Sequence, residues 1–185
     1  MRSFLAVAVR PPAQQQVAEL IEALRGRVAG VRWVDTATTH ITLHFFADLP
    51  ADRLGQVAEA VRSAVEPVAA FPLRLGGLGS FPSASRARVL WLGLAEEAPA
   101  LGSLAAAVQG AVAGCGFELD GRPFHPHITL GRPGPRFDRA AWRWELGGSH
   151  PFPVFLAARV TLFESHGGHH AREYFSLGPR RPEEL

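Results

Sequence analysis

His40-Ile41-Thr42-Leu43 and His127-Ile128-Thr129-Leu130 are the same tetrapeptide, placed once in each half of a 185-residue chain. On an extended strand successive side chains point to opposite faces, so His and Thr share one face while Ile and Leu share the other. Ile and Leu can then anchor each strand in its own core and leave two imidazoles and two hydroxyls facing a common cleft. Near pH 7 one imidazole can be neutral and the other protonated, so the pair can act as general base and general acid in one step. The Thr42 and Thr129 hydroxyls, and Arg132 just beyond the second copy, can donate to oxygens that gain charge in a transition state. Together these groups suit phosphoryl transfer without a metal.

The other histidines offer a rival chemistry. By strict alternation His40 and His44 share a face, and His125 with His127 makes an H-x-H pair, so a site of three or four histidines could ligate zinc. Against it, Pro126 constrains the pair and no acidic residue lies close in sequence to orient an imidazole. His166, His169 and His170 read as solvated turn residues, and His150 carries no signal. Cys115 is the single cysteine, which excludes an internal disulfide and a thiolate-built metal site. Flanked by Gly114 and Gly116, it reads as a small residue at a helix end.

The elements that must position these residues follow from periodicity. Ser3 to Val9 is an apolar strand ended by Pro11-Pro12. Val17, Leu20, Ile21, Leu24 and Val28 recur at helical spacing after Pro12, with Gly30 as the stop. Val31 to Val34 is a short strand with Trp33 packing under the cleft, and the first motif strand runs from His40 to Phe46. Leu54, Val57, Ala58, Val61 and Val65 form a second helical stripe ending at Pro67. Phe71, Leu73 and Leu75 alternate as a strand, and Gly76 to Ser83 reads as a glycine- and proline-rich turn around Phe81. Ala87 to Leu94 closes the first half as a strand with Leu90, Leu92 and Leu94 inward.

The second half repeats the order. Leu101, Leu104, Ala105, Val108 and Val112 form a helical stripe, and the second motif strand begins near Pro126. Asp138 can cap a short helix through Trp142. Phe152 to Phe163 contains a strand and Ala171 to Leu177 another, joined by a hairpin turn over Ser165 to His170; the tail from Pro179 is expected to fray. Strands and helices spread through both halves indicate an α+β protein.

Composition narrows the setting. With 47% apolar and 19% charged residues and a formal charge of +2, the chain reads as globular, soluble and mildly basic. It has no polybasic block, which suits holding an RNA end or a short oligonucleotide better than coating a long duplex. No run is long enough to span a bilayer and Met1 to Arg10 lacks a signal-peptide layout, so a cytoplasmic protein is expected. All 19 basic residues are arginine, and without lysine there is no nucleotide-triphosphate loop of the G-x-x-x-x-G-K type.

Paired H-h-T-h motifs, with h hydrophobic, resemble those of the 2H phosphoesterase superfamily, and the chain is similar to its RNA 2′,3′-cyclic phosphodiesterase branch, also described as bacterial 2′-5′ RNA ligases. The likeness takes in Phe4 on the opening strand, His40 to Phe45, the Gly79-Ser80-Phe81-Pro82 turn, Arg88 to Gly93, Pro126 to Arg132, and Leu162-Phe163-Glu164-Ser165. It implies one domain over residues 1–185, built of two intertwined pseudo-symmetric lobes. Each lobe contributes one motif, and antiparallel sheets line a central cleft.

The resemblance further implies hydrolysis of RNA ends or small nucleotides carrying a 2′,3′-cyclic phosphate, by a monomer needing no metal or other cofactor. The usual product is a 2′-phosphate, so His40 would protonate the departing 3′ oxygen and His127 would activate water. Thr42, Thr129 and Arg132 would bind the phosphate. Arg132 has the parity of Ile128, so only the resemblance supports its reaching the cleft, by a strand that ends or twists near Gly131. Phe45 holds the matching place after the first motif, where core packing and base stacking fit equally well; Phe81 is a second stacking candidate. Reversal of the reaction, giving a 2′-5′ linkage, and a non-catalytic RNA-end binding module are the alternatives.

Overall fold

The computed structural model describes residues 1–165 and 169–178. In chain order these form β1 (Ser3–Ala8), α1 (Ala13–Arg27), β2 (Val31–Trp33), β3 (His40–Phe46), α2 (Leu54–Val65), β4 (Phe71–Phe81) and β5 (Val89–Leu94). There follow α3 (Pro99–Gly114), β6 (Ile128–Pro133), α4 (Arg139–Glu145), β7 (Val154–Ala157), β8 (Arg159–Ser165) and β9 (His169–Ser176). The helical stripes are the buried faces: Val17, Leu20, Ile21 and Leu24 on α1, Val57, Ala58, Val61 and Val65 on α2, and Leu101, Leu104, Ala105, Val108 and Val112 on α3. Asp138 caps α4 by accepting from the Ala141 N–H at 2.9 Å.

Two antiparallel sheets result, in the orders β3-β1-β8-β9 and β2-β6-β5-β4-β7. Each contains one motif strand, but neither sheet is one half of the chain. The first half supplies β1 and β3 to one sheet and then sends β4 into the other, beside β5. The second half supplies β5 and β6 and sends β8 back beside β1. The repeat is therefore strand, helix, motif strand, helix, exchanged strand, which gives the two sheets the same order around motif strand, neighbour and exchanged strand. Helix α3 packs on β3 and on α2, and α2 on β9.

Separate cores for the two motif strands do not form: Ile41, Leu43, Ile128 and Leu130 belong to one connected buried cluster that includes the stripes of α1, α2 and α3. The expected turn over Gly76 to Ser83 is also different, because β4 continues through it to Phe81. The glycines serve close approach rather than reversal. A Cβ at Gly79 would lie 2.1 Å from the Trp91 indole, and one at Gly76 would lie 2.9 Å from the Ala95 Cα. Phe152 to Phe163 holds two strands, β7 and β8, which go to different sheets. The turn expected over Ser165 to His170 is shorter, because Ser165 ends β8 and His169 and His170 open β9, paired with Ser165 and Glu164; residues 166–168, with His166, and the tail from Pro179 lie outside the described residues, and His170 is exposed. Among the described residues no helix is long and apolar enough to cross a membrane.

Candidate active site

Both motif strands carry the same defect. Leu5 and Ala6 of β1 oppose His44 and Thr42, which leaves Leu43 as an extra residue in β3. Leu90 and Trp91 of β5 oppose Gly131 and Thr129, which leaves Leu130 extra in β6. A one-residue bulge at the same leucine of each motif switches the faces of everything that follows. Burial follows the switch: Ile41, Leu43, His44 and Phe46 are buried on β3, and Ile128, Leu130 and Gly131 on β6. The opposite faces carry half-buried His40 and Thr42 with exposed Phe45, and half-buried His127 and Thr129 with exposed Arg132.

A bulged residue loses its ladder partner, and here each orphan carbonyl is taken up from outside. The Gln109 side chain on α3 donates to the Leu43 carbonyl at 3.0 Å, and the Val34 N–H donates to the Leu130 carbonyl at 2.9 Å. Gly131 permits the second arrangement, since a Cβ there would lie 2.7 Å from Val31 Cγ1 and 3.0 Å from the Arg32 carbonyl oxygen.

The bulges settle several expectations. Arg132 shares a face with Thr129 without any end to the strand, which removes the parity difficulty. Phe45, 47% exposed with the Arg2 guanidinium 5.5 Å from its ring centre, is not a core residue. His44 does not share a face with His40: it is buried, edge-on to Phe46 at 4.5 Å. That separation removes one of the pairings on which a histidine metal site would rest, and among the described residues no three His, Cys, Asp or Glu side chains gather as ligands. Cys115 is buried at the end of α3.

The two motif histidines are held alike. His40 Nδ1 lies 2.6 Å from the Thr38 carbonyl oxygen and His127 Nδ1 lies 2.7 Å from the His125 carbonyl oxygen. A carbonyl can only accept, so each Nδ1 carries the proton and each ring presents Nε2 for proton exchange. Local sequence sets both carbonyls. Thr36–Thr38 forms a 3-10 turn capped by Asp35, and Gln14 on α1 donates to the Thr36 and Ala37 carbonyls at 3.0 and 3.1 Å. Pro126 restricts His125 to an extended conformation, which leaves its carbonyl beside the His127 ring. His127 therefore sits one residue before β6, whereas His40 opens β3.

Aromatic rings flank each imidazole. Phe4 stacks on His40 at 4.5 Å and Phe163 lies 5.7 Å from it; Phe4, Ala6 and Phe163 form a small buried cluster apart from the main core. Phe81 meets His127 edge-on at 5.0 Å and His125 at 5.3 Å, and Trp91 lies 4.9 Å from His125. Phe163 on β8 and Phe81 on β4 hold equivalent places, each on the exchanged strand, two residues beyond the partner of Ala6 or Trp91. Periodicity did not single out Phe163 or Trp91 as site neighbours. The available signal was a phenylalanine closing each of the segments Gly79-Ser80-Phe81 and Thr161-Leu162-Phe163.

Burial lowers the pKa of His127 below its ordinary 6.5; its hydrogen bond to the His125 backbone opposes this, and the His125 charge adds to it. Burial also lowers His44, against the pull of Asp120. Thr42 and Thr129 make no side-chain hydrogen bond among the described residues. β3 and β6 approach one another, so the two half-buried faces are presented by neighbouring strands of the two sheets.

Comparison with known proteins identifies the family and the fold. The family model described as "2'-5' RNA ligase superfamily" matches residues 11–169. The chain belongs to that superfamily. It is 36% identical over 129 residues to the RNA 2′,3′-cyclic phosphodiesterase of Geobacillus stearothermophilus, a match covering 70% of this chain and 41% of that protein. The Thermotoga maritima protein of the same name is 32% identical over 132 residues, covering 71% of this chain and 70% of its own length. Among solved structures, a Thermus thermophilus protein superposes with a TM-score of 0.78 at 26% identity, over 98% of this chain and 100% of that one. E. coli LigT in complex with 3′-AMP gives 0.76 at 23% identity, over 95% and 97%, a likeness of fold. The α+β, two-sheet architecture is thus the LigT-like fold.

Proposed function

We infer that this superfamily member is an RNA 2′,3′-cyclic phosphodiesterase, and propose that it opens the ring with His40 and His127 as its proton-transfer groups. The single observation that carries this reading is the duplicate anchoring of the two imidazoles, each through Nδ1 to the carbonyl two residues before it. A ring so fixed has one tautomer and one nitrogen for chemistry, and two such rings on related strands supply the base and acid that an in-line displacement needs on opposite sides of phosphorus.

In the proposed step water attacks phosphorus and gives its proton to His127 Nε2. The bond to the 3′ oxygen breaks, and His40 Nε2 delivers a proton to that oxygen, leaving a 2′-phosphate. The lowered pKa of His127 supports its role as base, because it keeps the imidazole neutral at pH 7. Thr42, Thr129 and Arg132 donate to the non-bridging oxygens, where charge accumulates. Phe45 and Phe81 offer faces for a base. The unit is one bilobal domain over residues 1–185, acting as a monomer in the cytoplasm.

The test is turnover of a nucleoside 2′,3′-cyclic phosphate by His40→Ala and His127→Ala proteins checked for folding by circular dichroism. Each is expected to fall by about a hundred- to ten-thousandfold. Wild-type rates in either variant would overturn the scheme.

A further inference from the structure

Two arginines face one another beside the second motif. Arg32 on β2 and Arg132 on β6 are directly opposed in an antiparallel pair, and opposed residues project from one side of the sheet with Cβ atoms about 5 Å apart. The bulge at Leu130 that turns Arg132 toward the Thr129 side therefore brings Arg32 there as well. Arg32 is exposed between half-buried Val31 and Trp33. Like charges so placed destabilise a sheet, and the fold supplies no compensation. Among the described residues neither guanidinium has a carboxylate at ion-pair distance, and Asp35, the nearest acid in sequence, accepts from the Ala37 N–H instead.

The surroundings give the pair a direction. On the β5–β4 side of β6 an open groove of about 520 Å³ begins at His125 and Trp91 and reaches Glu96 and Glu97. Two exposed carboxylates repel a phosphate chain. On the other side of β6 lies β2, with Arg32. A strand of phosphodiesters leaving the motif face is therefore drawn across β6 toward β2.

We propose that Arg32 holds the phosphodiester next to the reacting cyclic phosphate, with Arg132 between the two, so that the protein selects the end of an RNA strand over a free nucleoside cyclic phosphate. This rests on the cyclic phosphodiesterase reading above. The two guanidiniums match successive phosphates as charged, bidentate donors, and their mutual repulsion is relieved when the polyanion binds.

The test compares wild type, Arg32→Gln and Arg74→Gln, the last removing an equal charge on β4 about 20 Å along the strand from Phe81. Turnover is measured on a short oligoribonucleotide ending in a 2′,3′-cyclic phosphate and on the mononucleotide. Arg32→Gln is expected to lower the oligonucleotide-to-mononucleotide ratio of kcat/KM about tenfold, mainly through KM. Its melting temperature should not fall, because a like-charge contact is removed. Binding of a fluorescein-labelled oligoribonucleotide is measured in parallel at several salt concentrations. In Arg32→Gln affinity should drop about tenfold and the salt slope should lose about 0.7, the share of one single-strand phosphate. Unchanged ratio and binding in Arg32→Gln, or an equal loss in Arg74→Gln, would overturn the inference. Absence of turnover in wild type would overturn the cyclic phosphodiesterase reading instead, and the binding series would still decide for or against the arginine pair.

Discussion

Burial lowers the pKa of half-buried His127 and of buried His44, so both contribute to the pH dependence of stability, and only His127 is proposed to enter the reaction as well. His127 precedes Thr129 on the motif face and is the base of the proposed step, so its titration is expected to enter the rate. The acid limb of kcat/KM reports the base in the free enzyme, and it is expected to fall below pH 6.5, the ordinary imidazole value. Replacing His125 by Gln removes a neighbouring charge that lowers His127 while keeping the backbone carbonyl that anchors it, so the limb should move to higher pH. A limb that starts above 7 in the wild type, or that moves down in His125→Gln, would contradict these placements. His44 lies on the core side of the bulge and enters stability. Its folded pKa lies below 6.5, so as pH falls through that value the unfolded chain binds a proton that the folded chain resists, and stability is lost. Melting temperature should therefore decline between about pH 7 and 5. His44→Leu should make the decline shallower; an unchanged slope would show that His44 does not contribute to it.

At the scale of elements, the bulges aim the site, and their support can be removed piece by piece. Gln109→Leu strips the Leu43 carbonyl of its partner. The expected cost is about 1 kcal/mol in urea denaturation, with a several-fold loss of kcat/KM as Thr42 and Phe45 lose their fixed aim; loss of stability without any loss of activity would separate the bulge from the site. Gly79→Ala forces a methyl into the Trp91 indole and should cost roughly 1–3 kcal/mol, with a change in tryptophan fluorescence. The helical stripes, β3 and β5 were legible in the sequence because burial on one face imposes a period, and β1 because burial on both faces leaves a short apolar run. The bulges were not, since alternation assumes that no residue is extra. That assumption placed His44 with His40 and Arg132 with Ile128. The repeated wording did hold the clue, because Phe45 and Arg132 stand at equal distances from their histidines, but wording alone cannot say which way a strand slips. Glycine in β4 misled for a related reason, being required by the Trp91 and Ala95 contacts rather than by a turn.

At the scale of the whole molecule, the exchange of β4 and β8 ties each sheet to both halves of the chain. A fragment of residues 1–94 would leave β1 without β8 and β5 without β6, so it is expected to be unfolded by circular dichroism. The full chain should lose far-ultraviolet ellipticity and tryptophan signal in one coincident urea transition; two separate transitions, or a folded fragment, would contradict the one-domain reading. Two motif-bearing lobes were legible from the duplicated tetrapeptide, but the exchange was not. Pairing between β1 and β8 joins residues from opposite ends of the chain, and no local pattern records it.

The measurement that bears most directly on the two-histidine, metal-independent chemistry is incubation of purified protein, with and without EDTA, with an oligoribonucleotide ending in a 2′,3′-cyclic phosphate, followed by resolution of the ends formed. Conversion to a 2′-phosphate at the same rate in EDTA is the expected result. Activity lost in EDTA and restored by zinc, or no conversion under either condition, would contradict it.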